Sequence, residues 1–328
     1  MELHTQTVRF WNENREKAND PAFWMAHPLC RQAINRRISG SPHEWPLDWF
    51  KRVHARVPFR RGITWGCGLG AFERAVIRSG IVARIDAFDV SEASLADARR
   101  LADDERLDGI AYAPGNFDDA RIPARTYDIA FFHASLHHVF ALERLFRRLA
   151  VGMKSGAALY VDEYVGPSRS DWTLDRLRDA QALLDAVPAR GRIADAIALP
   201  IQADDPSEAI RSSEIEPFLR EFVDLREWRP YGGQLVDLIM PNVRREWAET
   251  SEGCAFVARW LEIEDEQMRR DPTTSHHVVA YGTLKPVYRL IRPLGRQAAA
   301  AIRRRIPQPG WVGSRAGAGS GGGVPRSR

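Results

Sequence analysis

The side chains best suited to chemistry fall into three short stretches. GITWGCGLGA (62–71) sets Gly66, Gly68 and Gly70 directly after an apolar run. FFHASLHHV (131–139) holds His133, His137 and His138, and VDEYV (161–165) sets Asp162 and Glu163 beside Tyr164. Glycines at this density let a backbone turn sharply and pass close to something bulky. Where such a turn leads from a strand into a helix, its N–H groups and the helix N-terminus point at a ligand. Histidine is the natural proton acceptor near neutral pH, and a carboxylate beside it orients it or replaces it. If 161–165 is a strand, Asp162 and Glu163 face opposite ways, because side chains alternate there.

The elements that must position these residues follow from the apolar pattern. Strands are expected at Gly62–Trp65, Ala83–Phe88, Gly109–Ala113, Tyr127–Phe132 and Ala157–Tyr164, and helices between them at Ala71–Ser79, Glu92–Glu105 and Ala141–Val151. Strands alternating with helices of this length predict a parallel sheet covered on both faces. Residues 1–58 read as helical, with an Asx-Pro start in NDPAFWMAHPLCRQAINRRI and a second helix in PLDWFKRVHARV. Beyond Gly166 the alternation stops. A helix is expected over Asp171–Val187, irregular chain over Pro188–Pro206, strands at Phe222–Arg229 and His276–Leu284, and helical material over Leu235–Arg270.

The glycine spacing alone leaves its ligand open. It reads as GxGxxA, close to the fingerprint of nicotinamide dinucleotide enzymes, and equally as GxGxG, the turn that lets an adenosine and a methionine moiety lie across the strand ends. Asp89, closing ARIDAFDVS, suits the ribose of either ligand. The stretches YAPGNFDDARIPARTYDIAFFHASLHHV (112–139) and LERLFRRLAVGMKSGAALYVDEY (142–164) resemble the later strands, helix and turn of class I S-adenosylmethionine-dependent methyltransferases. Further phrases (GCGLGAFERAV, HHVFALERLF, DEYVGPSRSDWT, DPSEAIRSSEI, WRPYGGQL) extend the resemblance over about residues 20–285. They resemble a bacterial subgroup found with surface-glycan and small-molecule biosynthesis. The implied fold is an α/β, Rossmann-like, seven-stranded methyltransferase sheet with helices on both faces. An N-terminal helical cap (1–58) precedes the domain (59–284), whose insertions 167–215 and 231–272 cover the substrate.

The resemblance implies S-adenosyl-L-methionine as cofactor, with Thr64, Gly66, Cys67, Gly68, Gly70, Glu73, Asp89, Val90, Asn116, Phe117 and His133 around it. Asn116 and Phe117 would flank the adenine. Two positions depart from the family. Thr64 stands where an Asp or Glu commonly helps to hold the methionine ammonium, and a hydroxyl is the weaker partner for a cation. Either Glu73 is the acid that takes over, or cofactor binding is weaker. Asn116 stands where an Asp often meets the adenine amino group, and its amide oxygen still accepts. His133 or His138 is the expected base, with Glu163 as orienter or alternative. Trp24, His137, Tyr164, Arg169 and Arg211 are expected at the acceptor, the arginines as forks for an anionic group. Trp11, Trp24 and Trp172 are expected either as an aromatic wall or as core. His276 and His277 read as surface residues. No His/Asp/Glu spacing along the chain suggests a metal.

Composition bounds the remainder. The 328 residues, 44% hydrophobic, are enough for a large domain. No apolar run reaches membrane-span length, and the first residues lack the order of a signal peptide. Cys30, Cys67 and Cys254 are odd in number, widely spaced and form no CxxC pair, which suggests neither a disulfide framework nor a zinc site, and a reduced, cytoplasmic protein is expected. The net charge of +4 is uneven: residues 285–328 hold ten Lys plus Arg and no acid, so residues 1–284 carry −6. An acidic body argues against nucleic acid as a partner. Residues 285–306 read as a basic helix that suits either solvent or the inner face of an anionic membrane, and 307–328, Gly/Ser-rich, as disordered. The acceptor expected is a small molecule or sugar-containing intermediate, methylated on oxygen or nitrogen. The alternatives are an NAD(P)-dependent oxidoreductase on the same turn and an inactive S-adenosylmethionine-binding protein.

Overall fold

Seven strands form a single sheet: β1 (Gly62–Trp65), β2 (Ile85–Asp89), β3 (Ile110–Pro114), β4 (Ile129–His133), β5 (Ala158–Tyr164), β6 (Val223–Gly232) and β7 (His277–Leu284), in the order β3-β2-β1-β4-β5-β7-β6. This is a computed structural model, and it describes residues 2–14, 24–117, 122–202 and 204–285. All of them lie in one compact unit, Met1–Val287. Strands β1 to β5 are parallel, and β7 runs antiparallel between β5 and β6. The three central strands are apolar on consecutive residues because both faces are covered: β1 is buried throughout, β4 over Ile129–Phe132 and β5 over Ala158–Val161. All seven expected strands are present, with ends displaced by a few residues at most. The antiparallel β7 separates this sheet from the all-parallel order of dinucleotide-binding enzymes.

The helices are α1 (Glu2–Glu13), α2 (Pro28–Ser39), α3 (Pro46–Val53), α4 (Ala71–Arg78), α5 (Glu92–Asp104), α6 (Leu142–Gly152), α7 (Arg178–Asp185), α8 (Ile215–Phe222), α9 (Val236–Ile239), α10 (Arg245–Ala248) and α11 (Ser251–Arg270). Local signals account for their starts. Proline stands at the head of α2 and α3, where its missing N–H costs nothing. Ser91 caps α5 by accepting from the Ser94 N–H, and Thr250 caps α11 from Gly253. The helix expected over Asp171–Val187 is shorter than its pattern. Leu174, 74% exposed, sits on a 3-10 turn, and α7 begins only at Arg178. The expected basic helix 285–306, the tail 307–328 and the Asn19–Pro21 helix start fall outside the described residues, Lys285 excepted.

The sheet order reverses direction between β1 and β4, and the C-terminal ends of those strands open a crevice at that switch point. The glycine turn follows β1, Asp89 ends β2, Asn116 and Phe117 follow β3, His133 ends β4, and Glu163 and Tyr164 end β5. Because β7 is antiparallel, its first residue, His277, pairs with Tyr164 and reaches the same edge. Among the described residues no helix is long and apolar enough to cross a membrane.

Candidate functional site

The glycine turn is held from below and open above. Gly66, Gly68 and Gly70 all have positive φ. At Gly70 a Cβ would stand 2.1 Å from the Tyr112 hydroxyl, so that position serves packing. At Gly68 a Cβ would meet nothing within 4 Å, which leaves room for a ligand against the backbone. Asp89 fastens the turn to the end of β2: Oδ2 accepts from the Gly68 N–H at 2.8 Å and Oδ1 from the Ser91 N–H at 2.8 Å. The Val90 N–H also donates to this carboxylate, which leaves one lone pair for a ribose hydroxyl. Burial raises the Asp89 pKa against the pull of these N–H groups.

Beneath the turn Glu73 is 1% exposed. It hydrogen-bonds the side chain of Thr64, and its Oε2 has no hydrogen-bond partner. Burial pushes its carboxyl up to about 7, against its own backbone N–H and Thr64, which favour the charge. A buried acid from the first turn of α4 thus stands against the Thr64 side chain. Ser135, which sequence reasoning passed over, closes the other side. Its Cβ lies 2.9 Å from where a Gly66 Cβ would be, and its buried hydroxyl has no partner. Phe117 reaches the same glycine, its ring 3.4 Å from that point. Cys67, Val90 and Asn116 border the turn and the ends of β2 and β3, each half-buried.

At the end of β5 the two carboxylates face opposite ways, as alternation requires. Asp162 Oδ1 accepts from the Tyr231 hydroxyl at 2.7 Å, and its Oδ2 lies 4.0 Å from His133 Nε2. His133 is half-exposed and stacks on Phe72, ring centroids 4.6 Å apart. Glu163, 1% exposed, turns to the other face. Its Oε2 accepts from the Ser135 and Leu136 N–H groups at 2.7 and 2.6 Å, and its Oε1 pairs with His137 Nδ1. Burial opposes the Glu163 charge, but His137 and the two N–H groups outweigh it and hold the pKa below the usual range. Burial also opposes a charged His137, and the carboxylates of Glu163 and Glu208 outweigh it, raising that ring to about 9. Glu163 therefore orients His137, and neither of the two histidines expected as base.

His138 is lowered, by burial first and by His137 next. Its Nδ1 lies 3.1 Å from Ser207 Oγ, which donates to Asp205 Oδ1 at 2.6 Å. With that hydroxyl proton committed to Asp205, His138 donates from Nδ1 and keeps the lone pair on Nε2.

The loop carrying these partners explains the two arginines. Arg169 gives its guanidinium to the carbonyls of Gln202, Asp205 and Pro206. Arg211 spends all five N–H donors, on Glu143, Glu214 and the Phe140 carbonyl. Neither is a free fork for an anionic acceptor, which corrects that expectation: Arg169 ties Gln202, Asp205 and Pro206 to the chain that follows β5, and Arg211 ties 211–214 to α6. Their hydrogen bonds raise Arg211 and bring Glu143 down to about 2.

The aromatic residues divide. Trp24 (1% exposed) is core, packed on His277, and Trp172 lies edge-on to His276. Trp11 of α1 lies edge-on to His138, centroids 5.3 Å apart, at the site itself. Tyr164 donates its hydroxyl to the Pro167 carbonyl at 3.0 Å and turns its ring edge to His137. His276 and His277, expected on the surface, are covered because the antiparallel β7 brings them beneath Trp24, Tyr164 and Trp172. Burial and its neighbour His277 lower His276 to about 3.

Residues 63–161 match a sequence family described as a methyltransferase domain. No curated protein matches the chain. Among solved structures, the cyclase SpnF is similar with TM-score 0.44 at 14% identity, over 80% of this chain and 94% of that one. Phosphoethanolamine N-methyltransferase 2 of Haemonchus contortus, in complex with S-adenosyl-L-methionine, is similar with TM-score 0.49 at 14% identity, over 85% and 60%. An S-adenosylmethionine-dependent methyltransferase from Mesorhizobium loti is similar with TM-score 0.39 at 16% identity, over 70% and 93%. At these identities the likeness concerns the fold alone. The sheet and the matched domain are those of the Rossmann-like methyltransferase fold, whose cofactor is S-adenosylmethionine. The cradle fits it: open space over Gly68, an unpartnered carboxylate oxygen on Glu73 and an unpartnered hydroxyl on Ser135.

Proposed function

We propose that this chain transfers the methyl group of S-adenosylmethionine to an oxygen or nitrogen of a small-molecule or sugar-containing acceptor. The observation that carries the reading is the buried Glu73 oxygen without a partner beneath an open glycine turn, at the switch point of the sheet. A buried carboxylate oxygen left unpaired is costly, and a bound ammonium satisfies it. In this reading Glu73, held by Thr64, takes the methionine ammonium, Asp89 the ribose hydroxyls, and Asn116 and Phe117 the adenine. The cofactor, when bound, supplies a methyl group on a good leaving group, so most of the remaining work is positioning.

His133 is the proton acceptor we favour. It stands at the end of β4 next to the β1 turn, it is half-exposed, and Asp162 lies on its Nε2 side. As the acceptor oxygen or nitrogen attacks, His133 Nε2 takes its proton and Asp162 stabilises the resulting cation. The net charge of −6 over residues 1–284 supports a small acceptor over a nucleic acid.

Calorimetric titration with S-adenosylhomocysteine, beside NADP, followed by an acceptor screen with labelled methyl donor, tests the reading. Binding of the first ligand alone, with turnover on some acceptor, is expected. His133→Gln then loses about 100-fold in kcat. Binding of NADP alone overturns the reading. Binding of S-adenosylhomocysteine with no turnover on any acceptor replaces it with a binding protein.

A further inference from the structure

His137, His138 and Glu208 come together in a way that methyl transfer does not require. Glu208 Oε1 lies 3.8 Å from His137 Nε2, and Glu208 Oε2 lies 3.9 Å from His138 Nε2. These separations are too long for hydrogen bonds. One ligand atom from each residue falls within 4.8 Å of the others, the spread of a small coordination shell. The two rings sit 4.1 Å apart on the turn Leu136–His138.

The ring nitrogens that face away are already engaged. His137 Nδ1 pairs with the buried Glu163, and His138 Nδ1 with Ser207, itself held by Asp205. This is the arrangement in which a histidine donates one N–H to a carboxylate or hydroxyl and presents the other nitrogen to a metal. Asp205 is wholly buried, and its second oxygen, 3.7 Å from His138 Nδ1, has no hydrogen-bond partner. Three carboxyl groups thus converge on two imidazoles, an excess of negative charge in a covered site that a dication would balance. The loop bearing Glu208 is fixed by Arg169 through the carbonyls just before it.

We propose that His137, His138 and Glu208 bind one divalent transition-metal ion of the zinc class. Two histidines and one glutamate are a set that zinc takes, with a fourth position left for water or for an oxygen of the acceptor. Ser207 and Glu163 are positioning residues, each acting through a histidine. The proposal stands apart from the methyl-transfer reading, since it needs neither cofactor nor turnover.

The test uses the full chain, stripped of metal by a chelator and titrated with Co²⁺ while its visible absorption is followed. One equivalent is expected to bind and to produce the intense bands of a four- or five-coordinate ion, and Zn²⁺ should displace it. Glu208→Gln is expected to bind at least about 100-fold more weakly and Ser207→Ala about 10-fold. Changing the exposed His43 to Gln should alter nothing. Circular dichroism confirms that each variant is folded, and His138→Gln replaces Glu208→Gln if that chain fails. The proposal is overturned if the unaltered chain takes up no stoichiometric cobalt. It is overturned equally if a folded Glu208→Gln or His138→Gln chain binds as the parent does.

Discussion

Glu73 shows how a single buried acid ties cofactor binding to pH. Its carboxyl ordinarily titrates at 4.5 and here sits at about 7, so between those values the folded chain holds a proton that the unfolded chain has released. Stability therefore falls as pH rises from 4.5 to 7, and the penalty, roughly 3 kcal/mol, is complete above 7. Binding of an ammonium requires the charged form, so affinity for S-adenosylmethionine should fall by up to tenfold per unit as pH drops below about 7. Glu73→Gln is expected to remove both effects. Thermal melts of the free chain at pH 8 should show the variant more stable than the parent, while calorimetry shows it binding the cofactor more weakly and with a flat pH profile. A parent whose affinity is level from pH 5.5 to 8 would dismiss Glu73 as the ammonium partner. The sequence offered Glu73 as one candidate for that contact, although an acid on the first turn of a helix is also favoured by the dipole alone. Its burial and its unpartnered oxygen were not legible, since these depend on Thr64 and on how α4 packs against the sheet.

At the scale of elements, the β1–α4 turn separates two uses of glycine that look identical in the sequence. Gly68 and Gly70 share a positive φ, and only their surroundings differ. Alanine at either position pays about 1–2 kcal/mol for the left-handed backbone. Gly70→Ala also drives a methyl into the Tyr112 hydroxyl, so it should lower the melting temperature well beyond that cost. Gly68→Ala should fold with only the backbone penalty but fill the cradle, and calorimetry with S-adenosylhomocysteine should show at least about a tenfold loss. Equal melting temperatures for the two variants would remove the distinction. The segment that carries Arg169 and Arg211, within the insertion 167–215, teaches the opposite lesson. The two arginines carried the right chemistry for an anion, but their partners, the carbonyls of Gln202, Asp205 and Pro206 and the acids Glu143 and Glu214, are set by chain folding that no periodicity announces. Glu208 was hidden for the same reason. It lies far along the chain from His137 and His138, and only the loop that Arg169 pins brings it to them.

The whole molecule was legible where local pattern and topology coincide. The five parallel strands are short apolar runs bounded by glycine and charge, and the helices between them, crossing over right-handed, account for the cover on both faces. The burial of His276 and His277 was not legible, because it follows from β7 running antiparallel beside β5, which brings its first residues to the edge where β5 ends. The uneven charge also belongs to this scale. β7 ends in a closed set of hydrogen bonds: the Lys285 N–H donates to the Phe222 carbonyl at 2.9 Å, and its Nζ to those of Arg220 and Glu221 at 2.7 and 3.0 Å. A chain ending at Lys285 keeps every strand and every proposed cofactor residue, yet loses nine of the ten basic residues of 285–328 and becomes net acidic. It should melt at the same temperature as the full chain and bind S-adenosylhomocysteine with the same affinity, while losing the full chain's retention on a cation exchanger. A loss of affinity on truncation would mean that residues beyond Lys285 complete the cofactor site, which the hydrogen-bonded close of β7 argues against.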